Sequence, residues 1–423
     1  MKGVEAVARA ICANTDFQYT VPGYPVTELG DQTNAEMVIN EKTALEYALG
    51  DSLSGKRAAV IVKHVGVNAC ADPLLQATAQ GLKAGVILVV GDDPDATGSQ
   101  TAQDSRYYGE LAEIPVVEPD LSSCYTGVES ALDASERFSR VSLLRLTPHI
   151  LGAEVTCKPI PRGKNMGKLA KEGLTMHGRV TAAGESYRRM YAWSNSSMLN
   201  HWKGGSLGVG DAPGSSRVVT VNPVPAPASQ FMEINEFGRH FVQDHCKIQP
   251  PKKSEPPESW KDRGFCRTFC SECPYHTLFR ILKEKGLHLL CDAGCSVLFM
   301  NPPYGMGIAS YGMGSSIAVA AKSTKVALIG DYALLHSGIN ALIDVYEKRR
   351  PVLCIVMNNH TAAMTGGQDV LDPIPYIQWA NPVICSAGDA AFLKELIVEP
   401  HEPVTVVVDA KCPKGAHHET VEC

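Results

Sequence analysis

Short runs of β-branched and aliphatic residues, separated by helical stretches, most constrain what this chain can fold into. AAVIVK (58–63), VILVVG (86–91), IPVVE (114–118) and VSLLRL (141–146) show no polar alternation. Such runs suit strands buried on both faces, which means parallel strands covered by helices. Between them, NEKTALEYALGDS (40–52) and DPLLQATAQGLKAG (72–85) repeat apolar residues at helical spacing. Residues 1–150 therefore carry the rhythm of βαβ units. At the start, Val4, Val7, Ala8 and Ile11 share one helical face, while Glu5 and Arg9 interrupt the apolar stretch. That pattern predicts an amphipathic helix and not an export signal.

The rhythm stops over residues 151–262. GGSLGVGDAPGSS (204–216), NPVPAPAS (222–229) and IQPPKKSEPPESWKDR (248–263) have the composition of loops and linkers. It resumes from 263 with a helix, HTLFRILKEKG (276–286), and the strands HLLCD (288–292), KVALIGD (325–331), VLCIVMNN (352–359) and VTVVVDA (404–410). SGINALIDVYEKRR (337–350) is the helix between two of those strands. The expected fold class is α/β. Two modules, 1–150 and 263–423, each form a parallel sheet with helices on both faces, joined by a small irregular middle segment.

A net charge of −6 argues against the basic surface that nucleic acid or an anionic membrane requires. No stretch approaches the roughly 18–20 apolar residues of a membrane span. Fourteen cysteines without an export signal point to reduced thiols in the cytoplasm. Cys12, Cys70, Cys124, Cys354 and Cys385 sit in apolar or mixed surroundings and read as buried and inert.

Chemistry concentrates at 325–368. The strand KVALIG ends in Gly330-Asp331, and the next strand ends at Asn358-Asn359, followed by HTAAMTGGQ. Open α/β sheets bind ligands beyond such strand ends. Asp331, Asn359 and the backbone carbonyl of Thr361 offer three hard oxygen donors, a set suited to Mg²⁺ holding a diphosphate. The arrangement resembles the diphosphate-anchoring motif of thiamine diphosphate enzymes, with Tyr332 in place of the motif's second glycine. The plain alternative is a helix-capping Asp and an Asn-Asn turn. Gly314, Ser315 and Ser316 open the Ala-rich stretch SSIAVAAKS, where hydroxyls and bare amides at a helix start suit a diphosphate. Thiamine chemistry also needs a carboxyl group on a second module to protonate the aminopyrimidine. Glu41, opening the helix NEKTALEYALG, is the candidate; alone it reads as a first-turn acid favoured by the helix dipole.

Longer segments decide between these readings. VPGYPVTELGD (21–31), NEKTALEYALG (40–50), VKHVGVNACADPL (62–74) and GDDPDATGSQTAQDSRYYGELAEIPVVEP (91–119) resemble the pyrimidine-binding module of 2-oxoacid:ferredoxin oxidoreductases. CSECPYH (270–276), GCS (294–296), GDYALLHSGINALID (330–344) and NNHTAAMTGGQ (358–368) resemble the diphosphate-binding module. The nearest branch is the α subunit of indolepyruvate ferredoxin oxidoreductase.

The resemblance implies thiamine diphosphate and Mg²⁺, with Glu41 as the pyrimidine acid. It gives Cys270, Cys273, Cys295 and Cys412 a role as ligands of one [4Fe–4S] cluster. On chemistry alone a Cys₄ zinc site competes, since CxxC spacing does not choose; Cys266 and Cys291 are spare thiols nearby. Arg106 matches the family arginine that holds the substrate carboxylate, with a surface ion pair as the alternative. Lys63 and His64 end a strand pointing toward the expected crevice, and His64 is a candidate for substrate binding or proton transfer. The implied activity is oxidative decarboxylation of a 2-oxoacid, with electrons passed to ferredoxin or another acceptor. A smaller β-type subunit, in an α₂β₂ complex, is the implied partner. Two other readings are a non-oxidative decarboxylase or carboligase, and a non-catalytic assembly subunit that retains the fold. One departure concerns the substrate: the family's Tyr-Pro-Gly-Thr-Pro is Val21-Pro22-Gly23-Tyr24-Pro25 here. Another is that no run of closely spaced cysteines offers a second, ferredoxin-like cluster.

Overall fold

The computed structural model describes residues 1–94, 96–101, 103–156, 166–167, 169, 189–190, 201–204, 230–234, 265–413 and 417–422. Most of the middle segment expected at 151–262, including NPVPAPAS and the linker at 248–263, lies outside the described residues. The chain divides into two compact units, Met1–Leu169 with Val180–Glu255, and Ala170–Arg179 with Pro256–Cys423.

The first unit is a six-stranded sheet of β1 (Phe17–Val21), β2 (Glu36–Met37), β3 (Ala58–Lys63), β4 (Val86–Gly91), β5 (Val116–Val117) and β6 (Ser142–Leu146). Its order is β2-β1-β3-β4-β6-β5, and every pairing is parallel. All of β4 is buried, as is β3 up to Lys63, which is why those runs carry no polar face. Helices Gly3–Asn14 and Cys124–Phe138 bury Val4, Val7, Ile11, Val128 and Leu132 in one cluster with Ile61 and Val89. The helix Glu41–Leu53 sets Tyr47 5.6 Å from Tyr19 of β1. Its first turn is fixed by Asn40, whose side chain accepts from Thr43 N at 2.8 Å.

β7 (His201–Gly204) and β8 (Gln230–Ile234) pair antiparallel. In the second unit, β9 (Phe265–Arg267) precedes β10 (Leu289–Cys291), β11 (Gly307–Ala309), β12 (Val326–Gly330) and β13 (Val352–Asn358). Then come β14 (Thr361–Ala362), β15 (Gln368–Asp369), β16 (Val383–Ser386), β17 (Pro403–Asp409) and β18 (Thr420–Glu422). The main sheet runs β11-β10-β12-β13-β17-β16, all parallel. Counted within its own unit, this is the second-first-third-fourth-sixth-fifth order of the first unit. One topology has been used twice, as the α/β reading of the sequence requires. Phe279, Leu282, Leu289, Phe299, Leu328, Ile355 and Val406 form the second core. Among the described residues no helix is long and apolar enough to cross a membrane.

Candidate active site

Strands β12 and β13 are neighbours, with Gly330 opposite Met357, so the residues just beyond both ends meet. Asp331 is 2% exposed. Its Oδ1 accepts from Tyr332 N at 2.7 Å and its Oδ2 from His360 N at 2.8 Å. Asn359 Oδ1 accepts from Thr361 N at 3.2 Å, and the Thr361 carbonyl from Ala363 N at 2.9 Å. His360 makes this turn possible by taking φ +59°. The structure thus brings Asp331, just after β12, against the Asn359–Thr361 turn that follows β13. Burial pushes the Asp331 carboxyl above its usual range, against the pull of the Tyr332 and His360 amides. A divalent cation relieves that cost, and carboxylate, amide and carbonyl oxygens are the donors Mg²⁺ prefers. The residues fit such an ion.

The turn at 312–316 differs from expectation. The helix it opens is Ser316–Ala321, and two of its amides are not bare. Gly314 N donates to Asp292 Oδ1 at 2.7 Å and Ser316 N to Asp292 Oδ2 at 3.0 Å. The Ser315 hydroxyl donates to Gly312 O at 2.9 Å. An internal, fully buried carboxylate therefore takes two of the amides that the sequence reading offers to a diphosphate. The Ser316 hydroxyl is buried without a partner and is the polar atom this turn leaves over.

Cys270, Cys273, Cys295 and Cys412 line one pocket, together with Phe269, Tyr275, Met357, Asn359 and His418. The hollow measures about 410 Å³ with its open mouth. The four sulfurs arrive on three segments: the turn before helix His276–Glu284, the turn after β10, and the stretch after β17. Cys412 N donates to Asn359 O at 3.3 Å, so the pocket borders the Asp331–Asn359 loop directly. Burial, and then the neighbouring thiols, push Cys295 up to about 12; burial likewise pushes Cys273 up to about 12. Four such thiols ionise together only against bound positive charge. Among the described residues no three His, Cys, Asp or Glu side chains converge as the grip of one metal ion. A single zinc draws its sulfurs to within about 4 Å of one another. A cubane seats each sulfur on a different iron, so its ligands ring a wider hollow.

The first unit treats its candidates differently. Glu41 opens helix Glu41–Leu53, half-buried, with its carboxylate against Gly66: a Cβ at Gly66 would lie 2.5 Å from Glu41 Oε1. His64 is fully buried, with Nδ1 3.3 Å from Gly91 O and Nε2 2.9 Å from Thr101 O. Both ring nitrogens face backbone carbonyls, so the ring ties β4 to the following loop. Lys63 Nζ reaches Gln100 at 3.3 Å. Arg106 is also committed. Its Nε and Nη2 grip Asp104 at 2.8 and 2.6 Å, with Glu118 at 3.7 Å. The fork expected to hold a substrate carboxylate already holds an internal one. Arg145 extends the network to Asp92 at 2.5 Å and Glu118 at 2.9 Å.

The description of the thiamine pyrophosphate enzyme C-terminal TPP-binding domain matches residues 292–376, the stretch holding Cys295, Asp331, Asn359 and Thr361. The indolepyruvate oxidoreductase subunit IorA of Archaeoglobus fulgidus is 27% identical over 470 aligned residues, spanning 86% of this chain and 75% of that protein. The chain is similar to IorA over most of its length. The IorA of Methanothermobacter marburgensis is 26% identical over the same shares. A thiamine diphosphate-dependent 4-hydroxybenzoylformate decarboxylase from Rhodococcus jostii superposes with a TM-score of 0.57 at 14% identity, covering 98% of this chain and all of that one. At that identity it supports the shared fold alone.

Three residues near the candidate groups carry no signal in the sequence. Asp292 looks like the end of an ordinary strand, Gly66 like a loop glycine, and His418 like part of a polar tail. Their partners lie 22 to 123 residues away along the chain. His418 Nε2 is 3.4 Å from Cys295 Sγ, and burial, then Arg267, hold its imidazole below the usual range.

Proposed function

We propose that this chain is the thiamine diphosphate-binding subunit of a 2-oxoacid oxidoreductase that passes electrons through a [4Fe–4S] cluster to ferredoxin or another acceptor. The observation that carries the reading is the convergence of Cys270, Cys273, Cys295 and Cys412 on a pocket that borders the Asp331–Asn359 loop. A decarboxylase needs the loop but has no use for the sulfurs beside it. An electron-transferring enzyme needs both, and needs them close.

Thiamine diphosphate, when bound, supplies the electron sink for loss of carbon dioxide from a 2-oxoacid. The protein's share is to hold and to protonate. Asp331, Asn359 and the Thr361 carbonyl are proposed to hold Mg²⁺, and Gly330 leaves room where the strand ends. The Ser316 hydroxyl is the proposed contact to a diphosphate oxygen, in place of the amides that Asp292 engages. Glu41 is the acid proposed to keep a proton at the pyrimidine ring, aimed by its contact with Gly66. His64 and Arg106 are proposed to shape the loop after β4 and not to touch substrate. The relatives' name as a subunit supports a smaller partner chain, and an α₂β₂ complex is the proposed form.

Anaerobic purification with iron, sulfide and thiamine analysis tests this. The expected protein is brown, holds iron and thiamine diphosphate, and reduces a viologen dye with an aryl-substituted 2-oxoacid. Asp331→Ala should lose thiamine diphosphate and keep iron; Cys270→Ser should do the reverse. Zinc without iron would overturn the electron-transfer reading. A colourless protein that still released carbon dioxide would establish a plain decarboxylase. Light scattering on the chain co-expressed with its partner checks the complex, and a lone monomer with full turnover refutes it.

A further inference from the structure

The segment after Cys412 does more than end the described chain. β18 pairs antiparallel with β9, with Thr420 opposite Arg267 and Val421 opposite Cys266. Thr268 N donates to Glu419 O at 2.8 Å and extends the ribbon by one bond. The ribbon thus fixes the segment next to the turn that carries Cys270 and Cys273. His417, Glu419 and Thr420 are exposed, whereas His418 turns inward and lines the cysteine pocket. Its Nε2 stands 3.4 Å from Cys295 Sγ, within hydrogen-bonding reach of a sulfur acceptor. Of the residues lining this pocket, it brings the one imidazole.

We propose that His418 donates its Nε2–H to the Cys295 sulfur and so raises the reduction potential of the cluster; this rests on the iron–sulfur reading of the pocket. Reduction adds negative charge that is shared with the ligand sulfurs. A hydrogen bond to one of them stabilises the reduced form more than the oxidised form. The ribbon of β9 and β18 holds the donor in place, so the effect costs no rearrangement when the electron arrives. His418 is a tuning residue and not a ligand, since Cys295 already supplies the sulfur at that corner.

The test uses the full chain with its co-purifying subunit, purified anaerobically, in wild-type, His418→Phe and His418→Gln forms. Iron is counted, and the cluster is titrated by electron paramagnetic resonance against solution potential. All three should hold the same iron. In His418→Phe the ratio of reduced to oxidised cluster at a fixed potential should fall on the order of tenfold, about 59 mV for one electron. His418→Gln, which retains an N–H donor, should recover part of that loss. In the unaltered protein, ¹⁵N-labelled histidine should show a weak magnetic coupling to the reduced cluster, a readout that survives any folding defect of a variant. Full iron with an unchanged potential in His418→Phe overturns the proposal, as does absence of the coupling. Loss of iron in both variants, matching Cys295→Ser, overturns it in favour of direct ligation. Wild-type protein without iron fails the cluster reading itself, and that result is visible before any variant is made.

Discussion

Asp104 shows how a buried group can be held charged. Burial acts to raise its carboxyl, but the Arg106 guanidinium, by charge and by hydrogen bond, outweighs that and holds it at about 2. A carboxyl lowered from 3.8 stabilises the fold fully above about pH 4, and that contribution is lost as pH falls toward 2. The amount is about 2 kcal/mol. Urea unfolding at pH 5 and pH 3 should show wild type losing more stability than Asp104→Asn; equal losses would refute the pairing. The same pair shows what the sequence leaves open at Arg106, as the contacts of His64 do at that residue. A residue type and a strand-end position say where a side chain starts. They do not say that Asp104 takes the fork, or that Thr101 O caps the imidazole. Gly66 was equally silent, because its meaning lies in what a methyl group there would meet. Gly66→Ala should displace the Glu41 carboxylate and cut turnover on the order of tenfold to a hundredfold, with thiamine diphosphate still bound. In a Glu41→Gln background the same change should add little, which a double-mutant cycle measures.

At the scale of elements, the turn at 312–316 is the most constrained piece near the site. Gly314 takes φ +80°, and a Cβ there would lie 2.4 Å from Gly338 N and from Ser337 Oγ. Those atoms belong to a wide turn at Leu334–Gly338, just after Asp331. Gly314→Ala should therefore destabilise the second unit by roughly 2 kcal/mol or more and weaken thiamine diphosphate binding with it. Calorimetry and cofactor titration check the two effects, and an unchanged melting temperature would show that the turn can yield. The long buried strands β3, β4, β12, β13 and β17 were legible because burial on both faces strips them of polar residues. β1, β2, β11 and β16 were not. β1 mixes exposed and buried positions, β16 does the same at a sheet edge, and β2 and β11 are only two and three residues long. The helices Glu41–Leu53, His276–Glu284 and Ile339–Glu347 were read to within a few residues of their ends, whereas Cys124–Phe138 was not read at all. The Asp331–Asn359 loop was legible too, since both residues sit at the ends of clear strands; the engagement of Asp292 with the next turn was not.

For the whole molecule, two units of one strand order have diverged in what they carry. The first unit turns its strand ends toward Glu41 and a buried ion network; the second places oxygens and sulfurs there. The second unit also has a timetable written into it. Cys270 and Cys273 come before the first strand of its main sheet, Cys295 after β10, and Cys412 only after β17. Between β10 and β17 in the sheet stand β12 and β13, so the last sulfur reaches the others only once that row is complete. A zinc finger can fold around its metal because its ligands lie close together in sequence. Here the four cysteines come together only when the fold has been built. On the proposed iron–sulfur reading, iron would be delivered to a fold whose row of strands is already complete, and until then the pocket would hold four unligated thiols.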